Sequence, residues 1–192
     1  MNAVPWSAGR WTHDPELVDL SDETLTAIAA EGSDAWRETA YGFVHANEHA
    51  LLAPLTVGES MQVEFEAKWT GEFDQAGIFV RIDDMRWVKA GLEFADGHLG
   101  LGAVVTDGRS DWSVGRVDEW STASVSVRVS RWPDSLIVRA RAGGEPWRLV
   151  RVAPFDGAAD ASAGPYLCAP TRAGFAVTFR SWTRGDADDS IH

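Results

Sequence analysis

From Met61 onward the chain alternates apolar and polar residues with a period of two, and this constrains the fold more than any other feature. Met61, Val63, Phe65, Ala67 and Trp69 point one way, and Gln62, Glu64, Glu66 and Lys68 the other, the signature of a half-buried strand with one wet face. The same pattern recurs through Ile78, Val80 and Ile82, through Val88, Ala90, Leu92 and Phe94, through Val125, Val127 and Val129, and through Phe175, Val177 and Phe179. Turn signals separate the runs at Asp83-Asp84, Asp96-Gly97, Asp107-Gly108, Pro133-Asp134 and Gly143-Gly144. Asp96-Gly97 in particular predicts a two-residue hairpin loop. No helical stretch of crossover length intervenes, which excludes a βαβ architecture. The spacing predicts an all-β sandwich or barrel with mostly antiparallel strands. Val63, Phe65, Val80, Val88, Leu92, Val127, Val129, Val177 and Phe179 are expected between its layers.

One segment is ambiguous. Ser21 to Gly32 suits a short helix, with Ser21 as N-cap and Gly32 past its end. Thr24 to Ala30 equally suits a strand by β-branched preference. The 192 residues fit one domain, expected over 1–183, followed by an acidic tail, 184–192, expected to be frayed. No apolar run approaches the roughly 20 residues of a membrane span, and Met1 to Arg10 lack the features of a signal peptide.

Asp and Glu number 29 against 17 Lys and Arg. An average field of that sign repels phosphate backbones and anionic membranes, so neither nucleic acid nor membrane is expected as a partner. The lone Cys168 has no internal partner. Its setting among apolar residues predicts an inert buried thiol and a reducing, cytoplasmic location.

Ten tryptophans are the compositional oddity. An exposed indole can stack on the apolar face of a sugar ring, although most tryptophans are core residues. Trp69 falls on the apolar face, while Trp87 and Trp182 share faces with polar residues. Glu64 and Glu66 share a strand face about 7 Å apart. That is conceivable for an acid and base pair, but a solvated face accounts for them with fewer assumptions. His45 and His49 have a helical metal spacing, yet Ala46 stands where a metalloprotease has Glu. Asp83-Asp84 and Asp188-Asp189 lack a calcium-loop pattern. Gly97, Gly100 and Gly102 lie in a hairpin context, not before a helix. The expectation is a domain that needs no metal and no cofactor.

Several stretches taken together resemble a known family. They are Ser33-Asp34-Ala35-Trp36-Arg37 with Tyr41-Gly42; Asp74-Gln75-Ala76-Gly77-Ile78; Trp87-Val88-Lys89-Ala90-Gly91-Leu92-Glu93; Val104-Val105-Thr106 with Ser110-Asp111-Trp112-Ser113; and Gly164-Pro165 with Cys168-Ala169-Pro170-Thr171 and Gly174-Phe175. In this order they resemble the domain-of-unknown-function family labelled "regulation of enolase protein-like", in the concanavalin A-like lectin/glucanase superfamily. The resemblance runs from about Trp6 to Trp182. It implies a two-sheet antiparallel jelly-roll sandwich and resolves Thr24 to Ala30 as a strand. It transfers no catalytic residue, and a glucanase-type Glu-x-Asp-x-x-Glu is absent around Glu64.

Alternation then selects a candidate ligand-binding surface. With Val88, Ala90 and Leu92 inward, Trp87, Lys89, Gly91 and Glu93 share the opposite face. With Ile78, Val80 and Ile82 inward, Gln75, Gly77, Phe79 and Arg81 join them. Gly77 and Gly91 would leave floor space, and Trp36, Asp111 and Trp112 would flank the groove from loops. The alternative is a plain Lys89–Glu93 or Arg81–Glu93 surface pair. Three functions fit: a non-catalytic domain binding a carbohydrate-like or polar small ligand on the concave sheet face; a hydrolase or isomerase of a sugar derivative, with Gln75 as donor, Lys89 as cation and Glu93 as base; and a regulatory domain that docks an unidentified protein.

Overall fold

The computed structural model describes residues 1–21 and 23–191. In chain order these form β1 (Asn2–Ala3), β2 (Arg10–Trp11), β3 (Leu17–Ser21), β4 (Thr24–Ala29), β5 (Ala35–Arg37), β6 (Val44–Ala46), β7 (His49–Pro54), β8 (Glu59–Ala67), β9 (Gln75–Arg81), β10 (Arg86–Ala95), β11 (His98–Asp107), β12 (Arg109–Arg116), β13 (Val125–Arg131), β14 (Ser135–Ala142), β15 (Arg148–Pro154), β16 (Ser162–Cys168) and β17 (Phe175–Asp186). Two antiparallel sheets pack face to face. One runs β15-β14-β13-β8-β17-β4-β3 with β1 beside β17, and the other runs β12-β11-β10-β9-β16-β7-β2. A two-stranded sheet, β5-β6, stands apart. No helix among the described residues is long and apolar enough to cross a membrane.

Alternation builds the core as expected. Val63, Phe65, Val127, Val129, Val177 and Phe179 from the larger sheet meet Val80, Val88 and Leu92 from the smaller one, all buried. Each such side chain contributes about 1.5–3 kcal/mol by leaving water. Residues 24–29 are a strand, with Leu25, Ala27 and Ala29 inside. Asp96 and Gly97 form the two-residue loop between Ala95 and His98, with φ of 53° and 76°, the left-handed pair that a type I′ turn requires.

Two expectations need correction. Trp182 is in the core, 1% exposed, because a bulge after Phe179 shifts the β8–β17 register and turns Trp182 inward beside Val63. The tail is not frayed. Arg128 and Arg139 both pair with the Asp188 carboxylate, the Trp132 indole donates to the Asp188 carbonyl, and Arg139 also bonds the carbonyls of Ser190 and Ile191. Arg128 and Arg139 face each other across β13–β14, so Asp188 relieves a like-charge contact. His192, the end of that stretch, lies outside the described residues.

His49 is structural. It accepts the Ala30 N–H at Nε2 (3.0 Å), and Nδ1 lies 3.0 Å from the His13 carbonyl. That pairing requires the neutral ring with its proton on Nδ1. Burial lowers its proton affinity accordingly. His45 sits on the separate hairpin. Among the described residues no three His, Cys, Asp or Glu side chains converge to hold a metal ion.

Candidate functional site

The smaller sheet is covered on both faces. Its inner face packs on the main core; its outer face carries a second cluster of Ala50, Phe79, Trp87, Val104, Tyr166 and Cys168, capped by Ala35 and Trp36. The β5–β6 hairpin lies over this face. Its base is fixed by Asn47, which accepts the Asp34 N–H (3.0 Å) and donates to the Gly32 carbonyl (3.1 Å). Ser33 bridges the Ala30 carbonyl and the Ala169 N–H, and the Arg37 N–H reaches the Ser110 hydroxyl (2.9 Å).

Beside the hairpin the outer face opens into a cavity of about 370 Å³, at the small end of the roughly 300–1,000 Å³ of small-molecule sites. Trp36, Tyr41, Phe43 and His45 wall one side, and Phe73 and Trp112 also line it. The hairpin rings contact one another in series. Trp36 and Tyr41 are 6.0 Å apart, Tyr41 and Phe43 stack at 5.3 Å, and His45 meets Phe43 edge-on at 4.7 Å. The Trp36 indole N–H is taken by the Thr39 carbonyl (2.9 Å), leaving its faces for contact. Phe73 is 39% exposed with φ 64°, a left-handed conformation that costs a non-glycine residue about 1–2 kcal/mol. Buried Asp74 holds its loop, accepting the N–H groups of Thr70 and Gly71 and the Arg172 guanidinium.

The polar floor is built on one ion pair. Lys89 is 3% exposed and donates to Asp34 Oδ1 (2.9 Å) and Gln75 Oε1 (2.7 Å). Asp34 Oδ1 also takes the Ala35 N–H (2.8 Å) and the Gln75 amide (3.3 Å). Asp34 Oδ2 and the third Lys89 proton have no protein partner among the described residues. Burial raises the Asp34 carboxyl, but Lys89 beside it prevails and holds it below the usual range. Burial lowers the Lys89 ammonium, and Asp34 more than restores it. Glu93, opposite Gln75 in the β9–β10 register, has no hydrogen bond or ion pair among the described residues. Burial pushes its carboxyl up to about 7, against the pull of Lys89.

Lys89 and Glu93 are four residues apart on one strand, about 13 Å between α-carbons. The lysine reaches Gln75 because its stem crosses the bare rung where Gly77 faces Gly91. These glycines were expected to leave floor space. Their stricter role is close strand approach, since a Cβ on Gly91 would meet the Ala76 carbonyl and one on Gly77 the Ala90 carbonyl. Gly91→Ala is therefore expected to destabilise the fold by roughly 2 kcal/mol through overpacking, read as a lower urea midpoint at unchanged slope. A midpoint equal to wild type would refute the packing account.

Of the residues selected from sequence, Gln75, Lys89, Glu93, Trp36 and Trp112 line this cavity. Trp87 does not; it is 5% exposed and stacked on Phe79 at 5.3 Å. Arg81 lies at the far end of β9 and pairs with Asp84. Asp111 points away and pairs with Arg151 at 2.8 Å. The alternative, a Lys89–Glu93 or Arg81–Glu93 surface pair, does not form among the described residues; Lys89 pairs with Asp34 and Arg81 with Asp84. Glu66 pairs with Arg180 and Glu64 accepts from Ser124, both on the larger sheet. Asp34, Tyr41, Phe43, His45, Phe73 and Tyr166 were missed as site residues. A signal for three of them existed: aromatic rings at 41, 43 and 45 alternate with Gly42, Val44 and Ala46.

The family model for a protein of unknown function, DUF1349, matches residues 11–186. The chain belongs to the DUF1349 family. It is similar to Regulation of enolase protein 1 of Saccharomyces cerevisiae, 37% identical over 177 residues that span 92% of this chain and 89% of that protein. A crystal structure of a functionally unknown protein from Saccharomyces cerevisiae superposes with a TM-score of 0.89 at 36% identity, covering 95% of this chain and 98% of that one. A xylan beta-1,4-xylosidase from Bacillus halodurans superposes with a TM-score of 0.72 at 12% identity, covering 97% of this chain and 39% of the enzyme. The last likeness is one of fold. This DUF1349 member is a two-sheet antiparallel β-sandwich jelly roll.

Proposed function

We propose that this chain binds an uncharged carbohydrate-like ligand in the cavity between the β5–β6 hairpin and the smaller sheet. One observation carries the reading: aromatic faces and a fixed set of hydrogen-bonding groups converge on one concavity of small-molecule size. Trp36 and Trp112 offer apolar faces to a sugar ring. Gln75, Lys89, Asp34 Oδ2 and Glu93 offer donors and acceptors for its hydroxyls. The charges favour a neutral ligand. Asp34 balances Lys89, and Glu93 adds negative charge as it ionises, so no cationic excess is left for a phosphate or carboxylate. The left-handed turn at Phe73 leaves its ring exposed at the cavity rim, which fits a binding role. The reading carries a cytoplasmic setting, in which Cys168 stays a thiol, and neither nucleic acid nor membrane as partner.

Titration calorimetry with neutral monosaccharides, short oligosaccharides and sugar phosphates tests it. A neutral saccharide is expected to bind, and Trp112→Ala to weaken it about tenfold, or about 1.4 kcal/mol. Silence toward every saccharide, or tighter binding of the phosphates, would sink the reading.

A regulatory contact with a protein has its own support. The yeast relative's name assigns it regulation of enolase, and Tyr41, Phe43 and Val44 on the hairpin are exposed. Co-elution with enolase that Tyr41→Ala abolishes and saccharides leave unchanged would favour that reading instead.

A further inference from the structure

We propose that this cavity also performs proton transfer at carbon: Glu93 removes the proton next to the carbonyl of an open-chain sugar, while Lys89 and Tyr166 hold the oxygen that becomes negative. The inference rests on the reading that the cavity takes a carbohydrate-like ligand, and adds a reaction to it.

Three groups with hydrogen-bonding capacity to spare lie near one another: Lys89 and Glu93 line the cavity, and Tyr166 lines a narrow cleft that shares both of them with it. Glu93 stands free of hydrogen bonds and ion pairs among the described residues. The Lys89 ammonium is pinned by Asp34 and Gln75 with one proton unspent. Tyr166 is 3% exposed, yet its hydroxyl has no hydrogen-bond partner among the described residues. It lines a narrow cleft together with Lys89, Glu93 and Trp112. Its hydroxyl oxygen keeps contact with solvent, so it is open to a ligand rather than sealed without a partner. A free carboxyl sharing a cavity lining with two groups that have donors to spare matches the composition of a base with an oxyanion site. Burial also strengthens Glu93 as a base.

The spare donors decide the reaction class. Glycoside hydrolysis develops positive charge on the sugar ring, which hydrogen-bond donors do nothing to stabilise. Enolisation develops negative charge on oxygen, which Lys89 and Tyr166 would stabilise. The C–H bond breaks and its proton passes to a Glu93 carboxylate oxygen. The C–H electron pair forms a C=C bond, and the carbonyl π pair moves onto oxygen, where the Lys89 and Tyr166 donors meet it. Return of the proton to carbon completes the cycle. Nothing is oxidised or reduced overall, and no co-reactant is consumed.

Glyceraldehyde, erythrose and xylose in D2O are the probes. Proton NMR follows loss of the C2–H signal, and saturation transfer in the same samples reports binding. Wild type is expected to accelerate exchange at least a hundredfold over buffer. Glu93→Gln should remove that acceleration while saturation transfer still detects binding, weakened by the change at one hydroxyl contact, and Tyr166→Phe should slow it about tenfold. Binding without accelerated exchange overturns this inference and leaves the binding reading standing. Exchange that survives Glu93→Gln also overturns it. Absence of both binding and exchange removes the two together.

Discussion

Lys89→Met is expected to cost about 3–5 kcal/mol of stability, a large share of what a domain of this size possesses. The lysine is nearly sealed from water, and its ammonium is the only cation bonded to Asp34 among the described residues. Methionine fills much of the stem's volume but leaves the Asp34 carboxylate without a counter-charge and Gln75 Oε1 without a donor. The double variant Lys89→Met with Asp34→Asn should recover most of the loss, because no uncompensated charge then remains. Urea unfolding of the two single variants and the double variant checks this. A Lys89→Met midpoint within about 1 kcal/mol of wild type would mean that the pair is solvated and that the floor of the cavity is not rigid.

Glu93→Gln is expected to stabilise the protein above pH 7 and to leave it unchanged near pH 4. The folded carboxyl titrates at about 7, against 4.5 for a free glutamate. A group raised in this way contributes fully below pH 4.5, and its contribution is lost as pH rises toward and through 7. The displacement corresponds to about 2–3 kcal/mol at pH 8. His49 slopes the other way, since burial lowers its affinity for a proton and stability falls as pH drops below 6.5. The difference between wild type and variant at each pH isolates Glu93. Parallel stability curves from pH 4 to 8 would show that Glu93 ionises as a surface carboxylate does.

Alternation made the layers of the sandwich legible, because a period of two assigns each residue of a strand to a face. It predicted the inward set Val80, Val88, Leu92 and Val127, and it placed Gln75, Lys89 and Glu93 on one shared face. It failed at Trp182, where a single bulge inverts the assignment. It also failed at Trp87. A face opposite the main core reads as wet, but here a hairpin from residues 35–46 lies over it and makes a second core. Asp34 was invisible as a site residue for a related reason. It precedes a three-residue strand, where no periodicity marks orientation, and its partners Gln75 and Lys89 are 41 and 55 positions away. The tail looked frayed because a short acidic segment carries no apolar pattern, while the arginines that hold it lie on β13 and β14.

Cys168 gives the molecule a built-in clock. It is the only thiol in the chain, fully buried, and opposite Gln75 in the β9–β16 register, beside a residue of the cavity floor. Burial pushes its thiol well above the ordinary range, so the folded form presents almost no thiolate to a disulfide reagent. Labelling must then wait for the strands around the floor to part, and its rate counts those openings rather than collisions at the surface. Any molecule that settles on Gln75 and Lys89 ties β9 to β10, which steadies the strand that pairs with Cys168 and slows the clock, so the speed of one absorbance change reports occupancy of the cavity without a labelled ligand.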